Sequence, residues 1–352
     1  MKQALTWNRI PLILMTFLAL SACSKNQIKV SSFCESLEPV GRILEEAEWA
    51  NWDMAPIYDE SGKVHLFVGR WPSDGDWLVN AQIVHAIAEN PEGPYQVLDT
   101  IFQDDTISYY NPQITQVGAT YVMVYAYKER SLPRMNQKVG LATSNSLDGP
   151  WKNSPHNPVL APSGIPGSFD CMHASNPSFH KDKEGRFRIY YKTASDQPDD
   201  PYLRTISLAI SDQIEGPYSP HADNPLITYV ENGLDVEDSY NFIYNGKYYM
   251  ILEDRMNVAS TYLGDPADPD TVRLGGWRPG LIYESVDGVN WGEPEIAVQT
   301  NAYYFDEPVL RFERAHILWK DGEPEYLFMA LARNENELGT GAVLKINHWE
   351  PK

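Results

Sequence analysis

Apolar residues along the chain fall in short runs with a period of two, and turn-forming residues interrupt them every few positions. Runs such as Ile83–Ile87, Val139–Ala142, Ile206–Ile210 and Leu281–Tyr283 read as strands. Each runs into a related turn segment. The copies are Ala88-Glu89-Asn90-Pro91-Glu92-Gly93-Pro94-Tyr95, then Ala142 to Asp148-Gly149-Pro150-Trp151, then Ala209 to Glu215-Gly216-Pro217-Tyr218, and more loosely Glu284 to Asp287-Gly288-Val289-Asn290-Trp291. Each sets Gly-Pro or Asp-Gly where a tight turn is needed, ahead of an aromatic that can cap a sheet. A second pattern has a polar residue, a short apolar strand, a Gly turn and an aromatic-rich strand. It spans Asp53–Gly69, Asn111–Tyr127, Asn176–Lys192, Glu237–Glu253 and Glu313–Leu331.

The two patterns alternate, so each unit holds two hairpins, or four antiparallel strands. Four-stranded units repeated around a ring make a β-propeller. A β-sandwich would not repeat the same two patterns in the same order. The expectation is an all-β, five-bladed propeller filling residues 36–352 as one domain.

Composition agrees: 10 Trp, 21 Tyr and 11 Phe beside 26 Pro and 23 Gly suit many strands and turns and leave little room for long helices. With 28 basic and 48 acidic residues the formal charge is −20, which argues against nucleic acid as a partner. The N-terminus reads differently. Lys2 and Arg9 form a positive stretch ahead of a short apolar run, Pro11 to Leu20, which ends in Leu20-Ser21-Ala22-Cys23. This is the layout of a secretory signal, and it resembles a bacterial lipoprotein signal in which Cys23 is lipidated. An ordinary signal cleaved nearby is the alternative. Residues 1–22 are expected to be removed and 23–35 to act as a tether, and Ser24 favours the outer membrane, facing the periplasm or the cell surface. The membrane is then reached only through the lipid. Cys34 and Cys171 show no zinc spacing and read as structurally minor.

The innermost strand of each propeller blade lines a central funnel, so the five lead residues Asp53, Asn111, Asn176, Glu237 and Glu313 converge there. Paired carboxyls in an aromatic-lined cleft are what glycoside hydrolysis requires: one protonates the leaving oxygen, and the other activates water or attacks directly. Trp71, Trp77, Tyr109 and Tyr110 could stack on a sugar ring or pack between blades. Arg70 and Lys192 end the inner hairpins of blades one and three, and two cations on the funnel side would suit a carboxylated or sulfated sugar. Bland readings stand beside these. Asp53 could accept turn N–H groups, one of Glu237 and Asp238 could pair with Arg255, Glu313 and Arg314 could form an ion pair or sugar clamp, and His173 could be a hydrogen-bonded core residue.

Trp52-Asp53-Met54-Ala55-Pro56-Ile57 resembles the nucleophile segment of levansucrase-like enzymes and the base-bearing first-blade strand of glycoside hydrolase family 43. Val236-Glu237-Asp238-Ser239 with Lys247-Tyr248-Tyr249 is similar to their blade-four acid segment, and Asn176-Pro177-Ser178-Phe179 to their blade-three segment. The resemblance implies an exo-acting glycosidase on plant or algal oligosaccharides, with Asp53 as base and Glu237 as acid. Family 43 favours inversion, and levansucrase-like enzymes favour retention. Asn176 departs from the pattern, because those families keep there an Asp that tunes the acid; Asp238 or Asp170 could substitute. Family 117, which cleaves anhydro-galactose linkages of red algal polysaccharides, also resembles this chain and is described as using a histidine acid, for which His173 is the candidate. No cofactor is required, no ligand spacing demands a metal, and a structural ion such as Ca2+ in the central channel is an option that the resemblance brings. A non-catalytic glycan-binding propeller and a glycosyl transferase remain the alternatives in function.

Overall fold

The computed structural model describes residues 28–196, 202–258, 262–265, 272–301, 304–305, 309–333 and 337–351. Cys23 and the signal segment lie outside the described residues. No helix among the described residues is long and apolar enough to cross a membrane.

Five four-stranded antiparallel sheets form the blades. From the inside outward, blade one comprises Trp49–Tyr58, Val64–Pro72, Gln82–Ala88 and Gln96–Phe102. Blade two comprises Ile107–Val117, Thr120–Glu129, Lys138–Ser144 and Lys152–Asn153. Blade three holds His173–Lys181, Phe187–Ala194, Arg204–Ser211 and Ser219–Pro220, and blade four Val236–Tyr244, Lys247–Asp254, Gly280–Ser285 and Glu295–Val298. A two-stranded ribbon, Tyr262–Leu263 with Val272–Arg273, interrupts blade four. The fifth blade takes three strands from the C-terminal end, Arg311–Lys320, Glu323–Ala332 and Thr340–Ile346. Its outermost strand is Leu37–Ile43, paired antiparallel with Thr340–Ile346. Pairing the two ends of the chain closes the ring and covers an otherwise open sheet edge.

The inner hairpins turn where the sequence pattern expects. Asn245-Gly246 and Asp321-Gly322 have positive φ at both residues (48° and 77°, 53° and 85°). This is the type I′ geometry whose twist matches a two-residue hairpin. Blade faces pack through buried apolar clusters; Val122, Val124 and Leu141 of blade two meet Phe179, Ile189 and Tyr191 of blade three. Removing one such ring, as in Phe179→Ala, would cost about 3–5 kcal/mol.

The proposed tether differs from the structure where it is described. Val30 bridges Ile296, Ser32–Glu35 forms one helical turn, and Phe33 and Cys34 are buried. Phe33 packs edge-on against Trp349 at 5.0 Å and joins the core shared by blades four and five. The hydrophobic gain of burying a phenylalanine keeps this segment on the fold rather than in solvent. Cys34 and Cys171 are both free.

Candidate active site

Each inner strand carries one extra residue near its start, which breaks the pairing register between Trp52 and Ala55, Tyr110 and Gln113, Ser175 and Ser178, Glu237 and Tyr240, and Glu313 and His316. At every bulge one residue takes a left-handed backbone: Asp53 (φ 59°), Asn111 (51°), Asn176 (48°), Asp238 (63°) and Arg314 (57°). A bulge re-aims a side chain out of the sheet. Asn and Asp adopt this conformation at little cost, whereas Arg314 pays roughly 1 kcal/mol and is held there by its contacts. The five side chains meet on the propeller axis. The sequence register was therefore correct for blades one to three and one residue early in blades four and five, where Asp238 and Arg314 hold the ring positions, not Glu237 and Glu313.

These five side chains form one network. Arg314 Nε donates to Asp53 Oδ1 at 2.6 Å, and Asn111 donates to the same carboxylate through Nδ2 (2.8 Å) and its backbone N–H (3.1 Å). Arg314 Nη1 lies 3.6 Å from Asp238 Oδ1, and Asn176 Nδ2 donates to that oxygen. The guanidinium thus bridges the two ring carboxyls. Gly69 makes room for Asp53: a Cβ there would stand 3.0 Å from Asp53 Oδ2.

Around the ring opens a cavity of about 600 Å³, within the range of small-molecule sites. Trp52, Trp71, Trp77, Tyr110 and Trp277 supply aromatic wall. Among the described residues, seven cationic side chains line it (Arg134, Lys192, Arg204, Arg255, Arg278, Arg311 and Arg314) against five acidic ones (Asp53, Glu237, Asp238, Glu313 and Glu337). In a protein of net charge −20, the described lining reverses the sign.

Glu237 sits one residue before the ring and is wrapped by cations: Lys192 Nζ at 2.9 Å, Arg255 Nη1 at 3.0 Å and Arg204 Nε at 3.1 Å. Burial alone would raise its pKa, but Lys192, Arg204 and Arg255 outweigh burial and hold it well below the usual carboxylate range. A carboxylate held ionised by three cations does not suit the expected role of Glu237 as acid, which needs a proton to give. The expected pairing with Arg255 is present. Asp238 is the opposite case. Burial dominates, Arg314 only partly offsets it, the neighbouring Glu237 charge adds to it, and its pKa is pushed up to about 7. Burial and the Glu237 charge thus raise Asp238 with an amide, not a carboxylate, at Asn176. Glu253, the cross-strand partner of Glu237, is likewise raised well above the usual range by burial and by Glu313.

His173 lines the cavity, and neither of its ring nitrogens has a hydrogen-bond partner among the described residues. Burial, reinforced by Lys192 and Arg204, pushes its pKa well below that of an ordinary histidine, so it stays neutral and is unsuited to be a general acid. Asp170 accepts from the hydroxyls of Ser163 (2.7 Å) and Ser168 and is not part of the cavity lining. Glu313 is an ion-pair residue, gripped by Arg311 (2.8 and 2.9 Å) and Arg278 (2.9 Å).

Two residues face away from the cavity. Lys192 pairs across the sheet with Ser175, immediately before a ring position, whereas Arg70 pairs with Asn51, two residues before one; the matching residue in blade one is Gly69, opposite Trp52. A one-residue offset turns a strand side chain to the other face. Arg70 accordingly stacks over Trp49 at 3.8 Å, with Glu46 at 3.7 Å. The same alternation sends Tyr110 to the cavity and Tyr109 into the blade core, stacked on Phe102 at 5.5 Å. Sequence reasoning missed Arg204, Trp277 and Arg278, which come from an outer strand and a connection, and Arg311, which starts the inner strand of blade five two residues before the expected position.

The Glu237, Asp238 and Glu253 carboxyls converge within 4.8 Å. They do not fit a divalent cation. Lys192, Arg204 and Arg255 already neutralise Glu237, Arg278 pairs with Glu253, and Arg314 lies beside Asp238. A doubly charged ion would enter against five positive side chains.

No protein-family model matches this sequence, and no curated protein matches it. Among solved structures it is similar to Zg3597, a family 117 glycoside hydrolase of the marine bacterium Zobellia galactanivorans, with a TM-score of 0.62 at 18% identity, covering 91% of this protein and 90% of that one. It is also similar to BT0996, solved as an RGII complex, with a TM-score of 0.62 at 13% identity over 93% and 94% of the two proteins. A third is CoXyl43, a family 43 β-xylosidase/α-arabinofuranosidase from a compost metagenome in complex with xylotriose, with a TM-score of 0.54 at 13% identity over 89% and 94%. The shared property is the fold.

Proposed function

We propose that this protein is an exo-acting glycoside hydrolase that removes a terminal, negatively charged sugar from a plant or algal oligosaccharide. The observation that carries the reading is the pair of ring carboxyls bridged by Arg314, with Asp238 poised near pH 7 to give up a proton. Asp238 is the general acid toward the leaving oxygen. Asp53, oriented by Arg314 and Asn111, is the base that takes a proton from the attacking water, which gives inversion. Glu237 acts through others: it gathers Lys192, Arg204 and Arg255 on one wall. His173 offers an unpartnered neutral ring to a sugar hydroxyl, and Trp71 and Trp77 offer flat faces to the ring.

The excess of cationic over acidic residues in the described lining supports an anionic substrate, because Arg forks match carboxylate and sulfate oxygens. The fold is that of solved proteins named as glycoside hydrolases of families 117 and 43. The raised Asp238 favours catalysis over mere glycan binding, which needs no group titrating near neutrality. The protein is further proposed to be an outer-membrane lipoprotein anchored through Cys23; Cys23→Ser would then move it from the membrane to the soluble fraction, and unchanged partition would refute the anchor.

The test is turnover by the purified mature protein on neutral, carboxylated and sulfated oligosaccharides, with products read by mass and their anomer by NMR. Release of single anionic sugars, abolished in Asp53→Asn, is expected. Sugar binding without product, even from activated aryl glycosides, would overturn the enzyme in favour of a binding module.

A further inference from the structure

A second cluster of chemically active side chains lies away from the cavity, where blade one meets blade two. His65 and His85 occupy adjacent strands of blade one and are 5% and 1% exposed. His65 Nδ1 and His85 Nε2 are 2.8 Å apart, hydrogen-bonded ring to ring. Carboxylates flank the pair at both ends. Asp59 Oδ2 stands 3.5 Å from His65 Nε2, while Asp99 Oδ1 and Asp148 Oδ1 stand 3.6 and 3.9 Å from His85 Nδ1. Asp99 is the cross-strand partner of His85, and Asp148 belongs to the Asp148-Gly149-Pro150 turn of blade two.

Counting protons shows that this relay is incomplete. It has three contact points: Asp59 with His65, ring with ring, and His85 with the Asp99 and Asp148 pair. Two neutral imidazoles carry only two N–H groups. Whichever tautomers are chosen, one end sets a bare nitrogen lone pair against carboxylate oxygen. A cation at His85 Nδ1 removes the conflict. His85 then keeps its proton on Nε2 and donates to His65 Nδ1, and His65 keeps its own on Nε2, directed at Asp59. This is the arrangement that metal-bound histidines use, with the second ring nitrogen donating to a supporting acceptor.

We infer that His85 Nδ1, Asp99 and Asp148 bind a divalent transition-metal ion of the Zn2+ class, with His65 and Asp59 as its supporting hydrogen-bond relay. Imidazole with two carboxylates selects such a metal over Ca2+ or Mg2+, which prefer oxygen alone. Ligand atoms around a tetrahedral zinc stand about 3.4 Å apart, so each carboxylate need approach His85 Nδ1 only by a few tenths of an ångström from the observed 3.6 and 3.9 Å, while the exposed Asp99 and Asp148 side chains swing toward each other around the ion. The two carboxylate side chains are 54% and 73% exposed, which gives both the freedom to close and access from solvent. Because Asp148 comes from blade two, the ion would clip two blades together. None of these residues lines the central cavity, so the inference is independent of the proposed catalysis.

The experiment is equilibrium dialysis of the untagged, chelator-stripped protein against Zn2+ at neutral pH, with the visible absorption of Co2+ as a second readout. One ion per molecule is expected. His85→Gln should abolish binding, and the exposed Asp148→Asn, which leaves the core untouched, should weaken it at least tenfold. Retention of no ion by the wild type would overturn the inference, as would equal retention by Asp148→Asn, which would put the ion elsewhere. So would NMR evidence that His85 takes up a proton while no metal binds, since the proton would then be the cation that completes the relay.

Discussion

Replacing Asp238 by Asn tests the central assignment in two independent ways. The ring already carries Asn at Asn111 and Asn176 with φ of 51° and 48°, so the amide can adopt the 63° of position 238 without new strain. Asp238 is 5% exposed and its pKa is pushed up to about 7 by burial, with the Glu237 charge adding to it against Arg314. The unfolded reference for aspartate is near 3.9. Between those values the native state binds a proton that the unfolded state has released, so stability falls as pH rises. Below about pH 4 both states are protonated and the contribution is fully present; above about pH 7 it is gone. Three pH units at 1.36 kcal/mol each make the loss about 4 kcal/mol. Asp238→Asn does not titrate, so urea unfolding from pH 4 to 8 should show the variant gaining on the wild type by roughly that amount. In kinetics the variant should slow poor leaving groups by about 10²–10⁴-fold and spare good aryl leaving groups. The wild type should lose turnover of natural glycosides as pH rises through about 7. A stability difference flat across this pH range would mean that Asp238 is ionised throughout, and the acid would have to be sought elsewhere.

Two further substitutions separate the roles around it. Glu237→Gln should weaken binding and stability, because Lys192, Arg204 and Arg255 lose their shared counter-charge, but its kinetic loss should not depend on the leaving group; a leaving-group-dependent loss would restore Glu237 as the acid. Lys192→Met should weaken anionic substrates by about tenfold or more relative to neutral ones, the size of one charge-assisted contact. Arg70→Met, whose guanidinium lies on Trp49 outside the cavity, should leave that ratio unchanged, and equal effects of the two variants would remove the case for a cationic pocket.

What the sequence determined by itself was everything carried by local periodicity and turn chemistry. Alternating apolar runs, Asn245-Gly246 and Asp321-Gly322 turns and the repeated Gly-Pro-aromatic segments specify strands and hairpins through interactions only a few residues apart, and their repetition specifies five blades. Asp53, Asn111 and Asn176 were legible as convergent for the same reason. Tertiary structure decided the rest. Bulges shifted the axis positions of blades four and five to Asp238 and Arg314, and strand alternation turned Arg70 and Tyr109 away from the cavity while admitting Lys192 and Tyr110. A shift of one residue is nearly invisible in a list of polar positions, yet it exchanges the two faces of a strand. Which of the two blade-four carboxyls is raised and which is lowered was also beyond the sequence. Glu237 and Asp238 are adjacent carboxyls of nearly equal intrinsic strength, and burial and the cations supplied by Lys192, Arg204, Arg255 and Arg314 drive their pKa values apart. Those partners come from three different blades, so the field that distinguishes the two carboxyls exists only once the ring has closed.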